Sequence, residues 1–313
     1  MKVIFGVDVG GTNIKIGKFN LDSSDLEKCV IEKYMVKTEI NEDPDVLISQ
    51  IHDEVMSHLG DDELVGIGIG IPGPVVNGNV LGAQNIKWEI VNLGERLEKK
   101  FPNILVKILN DANAATLGEW YFGYNHKKSN AILITLGTGV GGGIILNGHL
   151  IEGATGSAGE IGHIKIFPFN GRPCSCGLQG CLEQYASATG IVKTARGLMK
   201  NKMTTLSKIK YLSAKSVFDE AKAGDEVAKE VAERTAYYLS VGLASICNTI
   251  NPDVVIIGGG VSKAGDYFLK KVKAYFEDLS FYSVKDTEIV LATLLNDAGI
   301  YGNYINVIQS LDK

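Results

Sequence analysis

Residues 3–19 read V-I-F-G-V-D-V-G-G-T-N-I-K-I-G-K-F, and the predicted architecture follows from this hairpin-like pattern. Its first seven residues are apolar apart from Asp8 and partly β-branched, which predicts a buried strand that Gly10 and Gly11 end. Residues 13–19 then alternate between apolar and polar side chains, as a half-buried strand does. One strand therefore delivers an acid to a tight glycine turn, and a second strand returns from it.

The same plan recurs at residues 131–146, where an apolar run, a glycine-rich segment (137–143) and a second apolar run (144–146) follow one another. Two such copies indicate an α/β protein built from two related halves. We expect a small N-terminal domain of residues 1–122 with a C-terminal helix at about 297–313, and a larger domain of residues 123–296, packed around a cleft. Hydrophobic periodicity predicts further strands at 29–36, 65–71, 104–109, 254–257 and 288–291, and helices at 44–59, 93–100, from 111, at 225–247 and at 298–308.

The composition excludes several classes of function. A chain of 313 residues with 45% hydrophobic and 21% charged residues is typical of a globular protein of about two domains. Its net charge of 31 − 36 = −5 argues against a nucleic-acid partner. Because no apolar stretch is long enough to span a membrane and no secretory signal is recognisable, we expect a cytoplasmic protein without a membrane partner.

Three glycine elements follow predicted strands. In the first glycine turn (residues 10–13), backbone N–H groups can close on a phosphate, while Asp8 can hold water on Mg²⁺; a plain hairpin turn is the alternative. The second (residues 137–143) is neither a P-loop nor a Rossmann fingerprint, because no Gly-Lys-Ser/Thr closes it and a strand follows. The third (residues 258–260) offers flat backbone to a purine or ribose, or simply starts a helix. Because two glycine turns follow strands, we expect them to bind phosphate groups from two sides.

Three of the five cysteines, Cys174, Cys176 and Cys181, lie within eight residues, and His163 precedes them. Three closely spaced thiols with one histidine are typical of a tetrahedral zinc site. Four protein ligands leave no open position, so this zinc would be structural. Free buried thiols or a redox pair are the alternatives.

Acidic residues stand beside these elements. Asp111 follows Asn110 where a predicted strand meets a helix, and a helix N-cap is the alternative interpretation. Glu160 and Glu183 flank the predicted zinc ligands, so a metal there would fix both carboxylates in space.

These segments, in this order and over essentially the whole chain, resemble the ROK family of sugar kinases, within the actin/Hsp70/hexokinase superfamily. The specific signature is E-I-G-H at residues 160–163, followed by C-S-C-G at 174–177 and G-C-L-E at 180–183. The resemblance implies an α/β, two-domain actin-like ATPase (ribonuclease H-like) fold with a cleft between the domains.

The resemblance also implies transfer from Mg·ATP to a sugar 6-hydroxyl, with Asp111 as the general base. It implies sugar contacts from Asn85, Asn110, Asp111, Glu160, His163 and Glu183. The implied ATP and Mg²⁺ site comprises Asp8, Gly10, Gly11, Thr12, Asn13, Gly137, Thr138, Gly139, Gly258, Gly259 and Gly260. His163 would bind zinc through one ring nitrogen and face the sugar with the other.

Residues 110–115 and 117–119 look most like the glucokinase branch, so we expect glucose to become glucose 6-phosphate. Kinases of this family for fructose, mannose, N-acetylglucosamine or N-acetylmannosamine share the zinc signature and stay open, as does polyphosphate as donor. A non-catalytic sugar-binding protein is a further alternative. A repressor is not expected, because the first strand begins at Val3 without a preceding helix-turn-helix. Two-fold dimers are common, and we expect a homodimer.

Overall fold

The structure, a computed structural model, describes residues 1–23, 28–83 and 86–311. Within them the strands are β1 (Lys2–Val9), β2 (Asn13–Asn20), β3 (Val30–Lys37), β4 (Glu63–Ile71), β5 (Val75–Val76), β6 (Asn79–Ala83), β7 (Trp88–Asn92), β8 (Leu105–Asn110), β9 (Ala131–Leu136), β10 (Val140–Leu146), β11 (His149–Leu150), β12 (Val254–Gly258) and β13 (Glu288–Leu291). The α-helices are α1 (Pro44–Leu59), α2 (Leu93–Lys100), α3 (Asp111–Gly118), α4 (Glu183–Ala186), α5 (Ala188–Met199), α6 (Ala214–Ala223), α7 (Glu226–Ile250), α8 (Asp266–Leu279) and α9 (Ala298–Leu311). No helix in these ranges combines the length and the apolar character that crossing a membrane requires.

The chain divides into two compact units. Unit 1 comprises Met1–Lys127, His149–Ala158 and Leu294–Lys313, and unit 2 comprises Lys128–Gly148 and Gly159–Thr293. His149–Ala158 therefore groups with the N-terminal residues, although the sequence places it in the larger domain. The reason is close packing within unit 1, since a Cβ on Gly156 would lie 2.3 Å from the Val75 carbonyl oxygen. The predicted domain boundaries at residues 122 and about 297 stay a prediction.

Five strands of unit 1 form a sheet in the order β3-β2-β1-β4-β8. β1 and β2 pair as the antiparallel hairpin that residues 3–19 predict, so this prediction is confirmed. β1, β4 and β8 run parallel, with Asp8 beside Gly70 and Ile71 beside Asn110. The carboxyl ends of β1 and β8 thus bring Asp8 and Asn110 to the same edge of the sheet, which is where α/β sheets place their ligands.

Helix α9 lies almost directly on the backbone of β1 and β4. A Cβ on Gly68 of β4 would be 2.0 Å from the Asn303 carbonyl oxygen, so a larger residue does not fit. Asn303 is fully buried, and its side-chain amide donates to the Val7 carbonyl oxygen of β1 at 2.7 Å. On another side α9 meets α3, where a Cβ on Gly302 would be 1.7 Å from the Ala114 carbonyl oxygen. These contacts fix α3 and α9 relative to the sheet.

In unit 2, β10, β9, β12 and β13 form a sheet in that order, with β9 and β10 antiparallel and β12 parallel to β9. The prediction that a strand begins at residue 144 is wrong, because β10 already begins at Val140. A Cβ on Gly142 would be 2.5 Å from the Ile161 side chain. Glycine here permits close packing on a strand, so the second glycine turn is confined to residues 137–139.

A small antiparallel sheet of β5, β6 and β7 in unit 1 is missing from the sequence-based prediction. It buries Val80 and Trp88 against the core of the unit. The signal that would reveal it is Asn77-Gly78, which joins β5 to β6. Both residues have positive φ, of 50° and 77°, as a two-residue hairpin turn requires.

We expect Gly302→Ala to destabilise the protein by about 1–3 kcal/mol, because the new methyl group would overlap the Ala114 carbonyl oxygen unless α3 and α9 move apart. The midpoint of urea unfolding measures this. Gly197→Ala is the matched control: Gly197 is an exposed residue of α5 with open space around it. That substitution should be neutral or stabilise by up to about 1 kcal/mol. Equal midpoints for Gly302→Ala and the unmodified protein would contradict the backbone contact.

Candidate active site

Asp8 is the penultimate residue of β1, and its side chain is partly buried. Burial raises its pKa from 3.8 to about 6, Lys15 opposes this rise, and the negative charge of Asp111 adds to it. Helix α9 begins against it, since a Cβ on Gly299 would be 2.6 Å from the Asp8 Cγ. Two carboxyl groups whose charges repel each other, one of them withdrawn from water, form a donor set that suits a hard cation such as Mg²⁺.

The first glycine turn is held by the end of β3. The Gly10 N–H donates to the Asn13 carbonyl oxygen at 3.0 Å and closes the turn. The Thr38 hydroxyl donates to the Gly10 carbonyl oxygen at 2.7 Å, and the Thr38 N–H donates to the Thr12 carbonyl oxygen at 3.0 Å. Thr12 itself is exposed. The turn therefore has a fixed backbone and an accessible tip.

Asn110, and not Asp111, caps helix α3. The Asn110 Oδ1 accepts the N–H groups of Ala112 and Asn113 at 2.9 and 3.2 Å. Its amide nitrogen donates to Asp111 Oδ1 at 3.0 Å, and the Ala112 N–H donates to the same oxygen at 2.9 Å. Asn110 is therefore the N-cap, and the alternative interpretation of Asp111 as the N-cap is wrong. These contacts hold the Asp111 carboxylate in one orientation at the start of the helix.

The second glycine turn and the third glycine element are neighbours at one edge of the unit 2 sheet. Gly258, the last residue of β12, pairs with Thr135 of β9. Gly259 has a φ of 80°, and a Cβ there would lie 2.6 Å from the Leu136 nitrogen. Around Gly260 the space is open. The structure therefore brings together two of the three glycine elements that the sequence singles out.

The four predicted metal ligands converge. One donor atom from each of His163, Cys174, Cys176 and Cys181 lies within 4.8 Å of the others. The Sγ atoms of Cys176 and Cys181 are 3.7 Å apart, and Cys174 Sγ is 3.8 Å from His163 Nδ1. Tetrahedral zinc, with bonds of about 2.3 Å to sulfur, separates its ligands by about 3.7 Å. The set fits zinc, and Lys165 Nζ lies 2.7 Å from Cys181 Sγ, where its charge would offset that of the thiolate ligands of a bound metal.

Two of the three carboxylates predicted to contact sugar, those of Glu160 and Glu183, lie around this cysteine–histidine cluster. His163 directs Nδ1 to the cluster, whereas its Nε2 is 3.8 Å from Glu160 Oε2. Glu183 places Oε1 3.9 Å from Cys174 Sγ. Glu160, His163 and Glu183 are thus brought together. Asn85, the remaining predicted sugar contact, lies outside the described residues.

Sequence reasoning missed Arg172, one of four arginines in the chain. Its guanidinium donates to the carbonyl oxygens of Gln184 and Gly190 at 2.8 and 3.1 Å and to the Thr194 hydroxyl at 2.9 Å. It also stacks on the Tyr185 ring at 4.6 Å. Arg172 therefore ties the cysteine-bearing loop to α4 and α5. An arginine two residues before Cys174 was the available signal.

Residues 4–310 match the model of the ROK family. The chain belongs to the ROK family. A glucokinase from Halalkalibacterium halodurans is 41% identical to this ROK protein over 95% of this chain and 92% of its own length. A xylose repressor from Caldicellulosiruptor bescii is 32% identical over 98% of this chain and 78% of its own length.

A ROK family glucokinase from Streptomyces griseus, crystallised in complex with glucose and AMPPNP, superposes with a TM-score of 0.76. It is 32% identical, and the match covers 96% of this chain and 97% of that one. The predicted two-domain actin-like ATPase fold is confirmed by this likeness.

We expect Asp8→Asn to raise the free energy of unfolding at about pH 8 by up to about 3 kcal/mol in Mg²⁺-free buffer. The pKa of Asp8 rises from 3.8 to about 6 on folding. The folded protein therefore has its full stability when Asp8 is protonated, below about pH 3.8, and loses this contribution as the pH rises through about 6. The difference between variant and unmodified protein should therefore vanish towards pH 4. Urea unfolding at several pH values measures it, with exposed Asp61→Asn as the control. A gain that did not depend on pH would contradict the buried charge.

Proposed function

We propose that this ROK protein transfers the γ-phosphoryl group of ATP to the 6-hydroxyl of glucose, giving glucose 6-phosphate and ADP. The observation that carries the proposal is the Asp111 carboxylate, oriented at the start of α3 by the Asn110 amide and the Ala112 N–H. The 41% identity to a glucokinase over nearly the whole chain supports the choice of glucose.

Asp111 acts as the general base. It accepts the proton of the 6-hydroxyl as that oxygen bonds to the γ-phosphorus, the bond from the phosphorus to the β,γ-bridging oxygen breaks, and ADP leaves. Phosphoryl transfer depends mostly on positioning and electrostatics, so no nucleophilic residue of the protein is needed.

The glycine elements bind the nucleotide. Backbone N–H groups of residues 10–13 and of residues 137–139 hold phosphates, with the exposed Thr12 hydroxyl as an added donor. Residues 258–260 lie beside the second glycine turn and take the purine or ribose. Asp8 holds Mg²⁺, directly or through water, and the ion neutralises phosphate charge when bound. The partly buried carboxyl group of Asp8, with its raised pKa, supports that assignment.

The sugar is held by Asn110, Glu160, His163, Glu183 and, outside the described residues, Asn85. Carboxylates and amides suit a ligand made of hydroxyl groups, because they accept and donate in pairs. Zinc on His163, Cys174, Cys176 and Cys181 is structural: it fixes the ring that offers Nε2 towards Glu160. Arg172 supports the same loop. We further propose a cytoplasmic homodimer that feeds glycolysis.

Binding of sugar without turnover is the second candidate, favoured by the 32% identity to a xylose repressor. The oriented Asp111 carboxylate and the three glycine elements support the kinase instead, because a sensor needs neither a base nor a phosphate site. A kinase that prefers another hexose as the acceptor is a further outcome that measurements with different sugars would reveal.

We expect Asp111→Ala to lower kcat by at least about 10²-fold, because it removes the general base, while the Kd for glucose stays within a few-fold. Steady-state ADP release and isothermal titration with glucose measure the two quantities. Asp61→Ala, an exposed aspartate elsewhere in unit 1, is the control for loss of an acidic side chain. Near-full activity of a folded Asp111→Ala protein would remove Asp111 from the mechanism.

Removal of the metal should lower the thermal unfolding midpoint and the affinity for glucose together, because the cysteine–histidine cluster orders the loop that carries His163 and Glu183. Chelation followed by elemental analysis, melting and glucose titration tests this, and Cys176→Ala removes one ligand without a chelator. A metal-free protein that binds glucose as tightly as the metal-loaded one would separate the cluster from the sugar site.

A further inference from the structure

The carboxylate of Glu183 is bonded to the backbone next to the second glycine turn. Glu183 is the first residue of α4, and its Oε2 accepts the Val140 N–H at 3.1 Å. A Cβ on Gly139 would lie 2.4 Å from that same oxygen. The carboxylate therefore occupies space that only glycine leaves at residue 139, and both residues belong to unit 2.

Two more contacts tie this turn to the same stretch of chain, which we call the anchoring segment (residues 183–189). The Ala188 N–H donates to the Gly137 carbonyl oxygen at 2.8 Å. The Thr189 hydroxyl donates to the Thr138 carbonyl oxygen at 3.0 Å. The carbonyl oxygens of Gly137 and Thr138 and the N–H of Val140 are thus all bonded to the anchoring segment.

These contacts orient the N–H groups of the turn. In a planar trans peptide the carbonyl oxygen and the following N–H point in opposite directions. Because the carbonyl groups of Gly137 and Thr138 point to the anchoring segment, the N–H groups of Thr138 and Gly139 point away from it. Two adjacent N–H groups aimed to one side can donate to the same anion.

We propose that Glu183 is a positioning residue for the nucleotide, which it serves by fixing the second glycine turn through the Val140 N–H. The inference rests on the proposed function, because that function assigns phosphate to the turn. The two carboxylate oxygens of Glu183 have different surroundings. Oε2 accepts the Val140 N–H and so holds the turn. Oε1 lies 3.4 Å from the Gln184 amide nitrogen, on the side of the cysteine–histidine cluster. One side chain thus serves the sugar side and the phosphate side of unit 2, so nucleotide affinity depends on it even without sugar.

The test is the Kd for Mg·ADP, measured by isothermal titration calorimetry without sugar on the full, metal-loaded protein. Glu183→Ala should weaken binding by about tenfold, as loss of a hydrogen bond to a charged group does. Glu183→Gln keeps an acceptor oxygen and should recover most of that loss. Glu277→Ala is the matched control, because Glu277 is an exposed carboxylate of α8 elsewhere in unit 2, and its removal should leave the Kd for Mg·ADP unchanged.

Gly139→Ala supplies an independent arm, because its methyl group would displace the flexible Glu183 carboxylate rather than the backbone. As a single substitution it should weaken Mg·ADP binding. In the double variant with Glu183→Ala it should cause no further loss of affinity. If Glu183→Ala does not fold, the exposed Thr189→Val should still weaken binding several-fold. An unchanged Kd in folded, metal-loaded Glu183→Ala overturns the inference and leaves the proposed function intact. Failure of the unmodified protein to bind Mg·ADP overturns both.

Discussion

The contact between helix α9 and the backbone of β1 and β4 is the constraint on which the rest of unit 1 depends. Side chains are missing at Gly6 of β1 and Gly68 of β4, which lie against backbone carbonyl oxygens of α9, and buried Asn303 bonds to β1 directly. Helix and sheet therefore meet without a layer of side chains between them. Protein interiors are too densely packed to absorb a shift of such a contact. The ends of β1 and β8, and with them Asp8 and Asn110, are therefore fixed to one edge of the sheet.

In unit 2, residues 181–189 hold the second glycine turn in place by polar contacts. This stretch leaves the cysteine–histidine cluster at Cys181, presents the Glu183 carboxylate, and ends in the contacts of Ala188 and Thr189 with the second glycine turn. Arg172 fastens the cysteine-bearing loop to α4 and α5 behind it. Metal ligands, a carboxylate and a phosphate-binding turn are thus parts of one connected network.

Local patterns in the sequence predicted what depends on local physics. Alternation of apolar and polar residues predicts the hairpin of residues 3–19. Pro44 predicts the start of helix α1, and the close spacing of the cysteines predicts their convergence. The start of β10 at Val140 and the bond from Glu183 to the turn do not, because they arise from packing between distant segments. The glycines at 141–143 looked like a loop, whereas Gly142 is small to admit Ile161. The sheet of β5, β6 and β7 was visible only in the Asn77-Gly78 turn.

Phosphorylation of glucose by this ROK protein can be measured directly. The most direct measurement is the kcat/KM for ADP release from Mg·ATP by the metal-loaded protein, with glucose, mannose, fructose, N-acetylglucosamine and N-acetylmannosamine in turn. We expect glucose to give the highest value by a wide margin, with glucose 6-phosphate formed in equal amount to ADP. Release of ADP no faster with any of these sugars than without sugar would contradict the proposed kinase activity, and preference for another hexose would contradict the choice of glucose.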